Sequence, residues 1–343
     1  MIDLRSDTVT KPTKNMRKAM AEAEVGDDVF MEDPTVMRLE EIVAEIAGFE
    51  AGLFTVSGTM GNLLCVLSHC GRGDEMLLGD KSHLFIYEQG GSAGLGGIHP
   101  RTVCTKEDGS LPLDLLESSI RKDNIHFPVT RLISVENTHN LCGGAPLSIE
   151  YMNGLTALAA AYSLKVHVDG ARIFNAAAAF GVKVADLLVN TDSVSCCLSK
   201  GLAAPVGTVI CGNKDFIFKA RRNRKMIGGG MRQAGVIAAA GIVAITEMAD
   251  RLAEDHENAK KVAVELSKVD GLKTRPELVK TNIVFVETTK KGLCTDEISS
   301  RLKNEGILAF SYDNKRIRLV FHYEVTKNDV HKIIETFKKV VSI

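Results

Sequence analysis

The sequence predicts an α/β protein: a large, mostly parallel sheet covered by helices, followed by a smaller C-terminal α+β unit. Three observations predict it. Short apolar runs alternate with stretches of helical spacing along most of the chain, the pattern of strands joined by crossover helices. Beyond a long helical segment from Arg232 to about Ser267, the order becomes strand, helix, strand, helix, which suits a compact second unit. At 343 residues the chain is long enough for two domains of unequal size. The larger is expected at 1–249, including an N-terminal arm at 1–15, and the smaller at 250–343.

Residues 34–47 carry apolar side chains at helical spacing, with Pro34 in the first turn and Gly48 just past the end, so a helix is expected there. Gly52–Val56 reads as a strand ahead of a helix at Gly58–Ser68, and Glu75–Leu78 and Arg131–Glu136 as two more strands. A helix at Ile149–Ser163 leads into a strand at Lys165–Asp169, and strands at Ser193–Leu198 and Val206–Cys211 follow. The long helical segment should change direction near Asp250. The second unit should hold strands at Asn282–Glu287 and Arg316–Phe321 and helices at Thr295–Asn304 and Lys327–Val340. Ligands in parallel sheets sit outside the carboxyl ends of strands, so residues just past each strand are the ones to read for chemistry.

Composition narrows the partners. Charged residues make up 25% and the formal charge is −1, so no global field draws the chain to nucleic acid or to an anionic membrane. The eight cysteines form no CxxC pair and several sit in apolar runs, which reads as reduced core residues. Asp3, Arg5 and Asp7 fall where a signal peptide would be apolar, and no run reaches membrane-spanning length, so the cytoplasm is expected. No HxxxH or Cys/His cluster points to a transition metal.

Lys200 is the only charged residue between Asp192 and Lys214, set at the end of an apolar strand among small residues. Desolvation there would make its amine nucleophilic, and the natural use is a Schiff base; the plain alternative is a lysine reaching solvent from a loop. Asp169 ends the strand Val166-His-Val-Asp169, with Gly170 and Arg172 following. It either faces the ligand crevice or caps the next helix. Ser57-Gly-Thr-Met-Gly-Asn62 lies between a strand and a helix and suits a monophosphate on Gly58, Thr59 and a helix N-terminus, or is an ordinary glycine turn. The basic stretch from Lys214 to Arg232 is mostly a solvated helix face, whereas Arg232, beyond three glycines, would clamp a phosphate if buried. His83, between a strand and an aromatic run, could stack on a planar cofactor, and His126 lies in a loop ahead of a strand.

With these residues in place, the chain resembles the low-specificity L-threonine aldolases of the type I (aspartate aminotransferase) fold of pyridoxal-phosphate enzymes. The resemblance runs nearly end to end. It rests on Asp3-Leu-Arg-Ser-Asp-Thr-Val-Thr10, Val25-Gly-Asp-Asp-Val29, Glu32-Asp-Pro34, Ser57–Asn62, Glu136-Asn-Thr-His-Asn140, His167–Asn175, Leu198-Ser-Lys-Gly-Leu202 and Lys225-Met-Ile-Gly-Gly-Gly-Met-Arg-Gln233.

The resemblance implies that Lys200 binds pyridoxal phosphate as a Schiff base, that Asp169 pairs with the pyridine nitrogen, and that His83 stacks on the ring. It implies a phosphate site of Gly58 and Thr59, joined by Lys225 and Arg232 from a neighbouring subunit, with Arg172 also touching the cofactor. Ser6, Arg172 and Arg318 would hold the substrate carboxylate, and His83 and His126 would contact the β-hydroxyl, with a water as the alternative base. The implied reaction is retro-aldol cleavage of L-threonine or L-allo-threonine to glycine and acetaldehyde, in a homo-oligomer built as a dimer of dimers. A cation near Thr8, Thr10 and Ser199 is a further family feature. Met31, where a small residue is expected, and Phe321, where Thr is expected, depart from the pattern and are expected to line or support the mouth of the site. The alternatives are a phenylserine-type aldolase or a β-eliminating lyase on the same scaffold. From another class, a non-catalytic phosphate-ligand binding protein remains.

Overall fold

The computed structural model describes residues 1–290 and 292–342. Its centre is a seven-stranded sheet in the order Ala51–Thr55, Thr208–Gly212, Ser193–Cys197, Lys165–Asp169, Thr130–Glu136, Glu75–Gly79, His99–Val103. Thr208–Gly212 runs antiparallel to both neighbours and the other six strands are mutually parallel. Helices cover both faces. Glu75–Gly79 and Ser193–Cys197 are therefore buried along their whole length, the condition that makes such strands read as unbroken runs. His99–Val103 carries no such signal because it is an edge strand, where Pro100 is tolerated and side chains stay partly exposed.

The helix boundaries follow from local chemistry. Pro34–Ala47 starts where Asp33 accepts the Val36 N–H and stops at Gly48, whose left-handed φ of 76° suits glycine. The long helical segment is Gly235–Val243, a π turn over Ala244–Met248, then Leu252–Leu266 after the turn at Asp250. The second unit holds a four-stranded antiparallel sheet, Phe310–Ser311, Arg316–Val320, Ile283–Thr288, Leu272–Lys273. Helices Thr295–Asn304 and Lys327–Ser342 pack on it, the latter through Val330, Ile333, Ile334, Phe337 and Val341, one helical stripe.

Two cores result. One runs from Met16 to Leu252, and the other gathers Ala259 to Val341 together with Ile2 and Leu4. The first residues, expected with the large unit, pack in the second core instead because Ile2–Asp3 pairs in parallel with Ile307–Leu308. Five cysteines are buried as expected, but Cys104 and Cys294 are exposed and Cys142 is half-buried. Among the described residues no helix is long and apolar enough to cross a membrane.

Candidate active site

The parallel strands bring their carboxyl ends to one rim, where the chain sets Ser57, His83, Glu136, Asp169 and Lys200 at or just past the strands. Asp169, 3% exposed, accepts the Asn62 Nδ2 hydrogen on Oδ2 at 2.9 Å and the Ala171 N–H on Oδ1 at 3.1 Å. It thus faces the crevice and closes only its own turn; the helix Ile173–Phe180 has no side-chain cap. Asn62 is held in turn: its Oδ1 accepts from Ser195 Oγ at 2.6 Å and lies 3.1 Å from His167 Nε2. His167 also meets Ser193 Oγ at 3.0 Å, and His69 reaches the same hydroxyl at 2.8 Å. Burial in this layer pushes His167 down to about 4, so it is neutral at pH 7.

His83 opens the short helix His83–Ile86, its backbone N–H donated to Glu136 Oε2 at 2.8 Å and its Nδ1 2.8 Å from Glu88 Oε1. Burial alone would lower its pKa, but the Glu88 hydrogen bond and the charges of Asp169 and Glu88 raise it. Lys200 is half-buried, so desolvation of its ammonium is partial, not the enclosure that its small neighbours suggest. Its charge bears on both Asp7 and His83, lowering the pKa of each.

The phosphate-type turn is formed. Ser57 caps the helix Gly58–His69 by accepting the Met60 N–H at 3.2 Å, which leaves the N–H groups of Gly58 and Thr59 at the open first turn. A Cβ on Gly58 would lie 2.8 Å from Cys197 Sγ, so only glycine packs this turn so closely on the sheet.

The opposite end of the site is cationic. Arg172 forks onto Asp7, Nε to Oδ2 and Nη2 to Oδ1, both at 2.7 Å, and its Nη1 meets Asn140 Oδ1 at 3.3 Å. Burial pushes the Asp7 carboxyl up, and Arg172 more than offsets this and holds it at about 2. Arg318 shares Asn140 Oδ1 at 3.1 Å and donates to the Arg5 carbonyl at 3.3 Å, while its buried Nε has no partner. Burial and the like charge of Arg172 lower the Arg318 pKa, so an anion placed between the two guanidiniums is favoured electrostatically. Arg172 is therefore largely committed to Asp7, which leaves Arg318 as the freer donor.

Other expected site residues fall elsewhere. His126 is exposed in the loop before Thr130–Glu136, at the amino end of a strand whose carboxyl end faces the site. Seven residues of strand separate the two ends. Arg232 is exposed, not buried against an anion, and bridges Asp27 at 2.9 Å; Lys225 is exposed as well. Of the glycines before Arg232 only Gly228 is exposed; Gly229 packs on Met60 and Gly230 on Lys225, while the Arg232 side chain stays 55% exposed. Arg224 of the same basic run is the buried one, donating to the Phe54 carbonyl and to Asp28, each at 2.6 Å. Its spacing from Ile217 and Ala220, on the buried stripe of Lys214–Met226, was the available signal.

Ser6 Oγ accepts from the Thr8 N–H at 3.2 Å and from the Thr8 hydroxyl at 2.9 Å. Thr10 Oγ1 lies 2.9 Å from the Asp7 carbonyl and 3.0 Å from that of Lys200. Ser199 is half-buried beside Lys200. Met31 is 59% exposed, and its φ of 58° explains why glycine is the expected residue there. Phe321 is fully buried in the second core, so its side chain does not line the mouth; its backbone supports the site through Asn282, whose carbonyl takes the Phe321 N–H at 2.8 Å and whose Nδ2 donates to Asp7 at 3.3 Å.

Asp7, Asn62, Glu88 and Asn140 were given no individual role from sequence, yet they hold the arginines, Asp169 and His83. A cavity of about 750 Å³ beside the site is lined by Lys81, Cys142, Phe285 and Arg316, not by Lys200 or Asp169.

A profile of the beta-eliminating lyase family matches residues 3–289. The chain is 43% identical over 333 residues to the low specificity L-threonine aldolase of Escherichia coli (strain K12), covering 97% of each chain. It is 47% identical over 342 residues to low-specificity L-threonine aldolase 1 of Arabidopsis thaliana, covering 98% of this chain and 96% of that one. A solved threonine aldolase of Leishmania major shares the fold with a TM-score of 0.84 at 17% identity, covering 99% of this chain and 100% of that one.

Proposed function

The chain belongs to the beta-eliminating lyase family, in its threonine aldolase branch, and from that premise we propose that it cleaves L-threonine or L-allo-threonine to glycine and acetaldehyde with pyridoxal phosphate. The observation that carries this is the pairing, on one rim, of a half-buried lysine with a buried carboxylate at the end of a neighbouring strand. The donor set fits the cofactor. Lys200 suits its aldehyde, Asp169 its pyridine nitrogen, and the N–H groups of Gly58 and Thr59 its phosphate. When bound, pyridoxal phosphate supplies an aldehyde for the substrate amine and a ring that accepts the electron pair released from Cα.

The chain's own residues do the rest. Arg318, backed by Arg172, takes the α-carboxylate and so fixes the direction of the Cα–Cβ bond, as orientation of the breaking bond requires. Asp169 keeps the pyridine nitrogen protonated. His83 would stack on the ring and so would face the β-hydroxyl, whose proton must leave for the aldehyde to form. Ser6 Oγ accepts twice from Thr8, so its own O–H hydrogen is left to donate to the carboxylate.

Lys225 and Arg232 are exposed on their own protomer, which supports the reading that they complete the phosphate site of a second copy; on that reading a dimer is the functional minimum and a dimer of dimers the assembly. His126 has no role within its own protomer and could reach a hydroxyl only in another. A cation at the Thr8, Thr10 and Ser199 loops would be served by hydroxyl and carbonyl oxygens, since the Thr8 and Thr10 hydroxyls are engaged only as donors and keep their lone pairs. A reducing cytoplasm suits the eight free cysteines.

The test is to supply purified protein with pyridoxal phosphate and L-threonine and assay both product pairs. Glycine with acetaldehyde supports cleavage, whereas pyruvate with ammonia would make the chain a β-eliminating lyase and overturn the proposal. Lys200→Ala should lose the visible absorbance of bound cofactor and glycine release together; turnover surviving without that absorbance would sink the mechanism.

A further inference from the structure

A line of three hydrogen bonds joins the ring-facing histidine to the strand-end carboxylate. His83 Nδ1 lies 2.8 Å from Glu88 Oε1, Glu88 Oε1 accepts from Asn62 Nδ2 at 2.8 Å, and the same Nδ2 donates to Asp169 Oδ2 at 2.9 Å. The orientation of the Asn62 amide follows independently from its other end, where Oδ1 accepts from Ser195 Oγ. Nδ2 therefore has one hydrogen for each of the two carboxylates, both nearly fully buried. Burial and the charge of Asp169 raise the Glu88 pKa, and the hydrogen bonds from His83 and Asn62 oppose them; an ionised Glu88 can only accept on Oε1, and Nδ1 then carries the imidazole proton. The His83 backbone N–H is fixed on Glu136 and the ring is held at Nδ1 by Glu88, so Nε2 is its remaining nitrogen.

We propose that Glu88 is a positioning residue for the cleavage reaction: it holds the His83 proton on Nδ1 and presents Nε2 to the β-hydroxyl of the substrate. This rests on the aldolase reading above. In the step, the β-hydroxyl proton passes to Nε2, the C–O bond becomes the aldehyde carbonyl, and the Cα–Cβ pair stays with the amino-acid fragment. The proton count closes when that proton, or one exchanged with solvent, is delivered to Cα to give glycine. The groups facing the imidazole are Glu88 and Asp169, which favour its charged form, and Lys200, which opposes it; the Tyr87 ring lies 5.4 Å away and Glu136 is spent on the backbone. The balance raises the His83 pKa, with Glu88 the main support.

The experiment is a nitrogen-15 NMR titration of His83 in the cofactor-loaded full chain, with and without Glu88→Gln. Removing the carboxylate charge should lower the His83 midpoint by about one pH unit. The acid limb of kcat/KM should move down by the same amount, so the variant stays active at lower pH than the wild type. A variant merely damaged in structure would not gain activity there. Glu88→Asp should restore most of the wild-type midpoint, and it serves as the second measurement if Glu88→Gln folds poorly. A His83 midpoint unchanged in Glu88→Gln, or nitrogen shifts showing the neutral ring protonated on Nε2, would overturn the proposal even if the wild type cleaves threonine. A wild type that titrates as expected but yields no glycine would instead refute the cleavage reading, and with it the role given to Nε2.

Discussion

The two ends of the site are built on opposite plans. At the ring end every polar atom of Asn62 is used, His167 and Asp169 are nearly fully buried, and the layer of Ser193, Ser195 and His69 beneath is hydrogen-bonded throughout. At the carboxylate end two guanidiniums share one amide oxygen, and the buried Nε of Arg318 and Oδ1 of Asn282 have no partner. A satisfied buried network holds its members rigidly, whereas an unsatisfied donor beside like charges gains most when an anion arrives. The first plan suits a resident group and the second a substrate that comes and goes.

The largest expected effect tests how far the cationic end depends on its one internal anion. Asp7→Asn leaves Arg172 buried without a countercharge, and breaking a buried pair in this way costs about 3 to 5 kcal/mol. Urea unfolding of the two proteins should show that loss as a lower midpoint at unchanged slope. A loss within a few tenths of a kcal/mol would mean that Asn140 and solvent already carry the guanidinium, and the contrast between the ends would weaken.

Acid separates the ends by pH window. His167 is depressed from 6.5 to about 4 by burial, so it binds a proton more readily when unfolded; its contribution is full above 6.5 and fades as pH falls through about 4. That amounts to about 3 kcal/mol. Asp7, depressed from 3.8 to about 2 with Arg172 overcoming burial, contributes above 3.8 and loses about 2 kcal/mol as pH falls through about 2. Stability measured against pH should therefore fall first through the ring end and only later through the carboxylate end. In Asp7→Asn the lower step should vanish while the upper one remains.

Substrate kinetics supply the third comparison. Arg318→Ala removes a charge-assisted contact worth about 1.5 to 3 kcal/mol, so KM for L-threonine should rise by roughly tenfold to a hundredfold. Cofactor affinity, a property of the other end, should be nearly unchanged. If both rise together, the two ends are not separable and the division drawn here fails.

What was legible in the sequence follows the same divide. Lys200, Asp169 and the turn at Gly58 are visible because each sits at a strand end or a strand-to-helix turn, where periodicity and glycine mark the place. Asp7 is 165 residues from Arg172 in a charged N-terminal segment, and no local pattern distinguishes it from a solvated acid. Asn62 looks like any polar residue of a helix until Ser193–Cys197 is laid beside it, and Glu88 is defined only by what His83 does. Strand-end chemistry is local, whereas the residues that hold it are chosen by the pairing of distant strands. His126 shows the converse error, since a histidine near a strand in sequence can lie at the wrong end of it.

The smallest effect probes how finely the cationic end is tuned. The Phe310 ring lies 5.9 Å from the Arg318 guanidinium carbon and is itself half-exposed, so the attraction is of the weak, partly solvated kind, about 0.5 to 1 kcal/mol. Phe310→Leu keeps an apolar side chain in the edge strand Phe310–Ser311 and removes only the ring face. KM for L-threonine should then rise about twofold to fivefold, with kcat little changed, because Arg318 loses a support and not its charge. An unchanged KM would mean that Asn140 and the Arg5 carbonyl alone hold Arg318 in place. A fall in kcat as large as the rise in KM would mean that the ring helps to set the direction of the breaking bond, and the carboxylate end would then be as preorganised as the ring end.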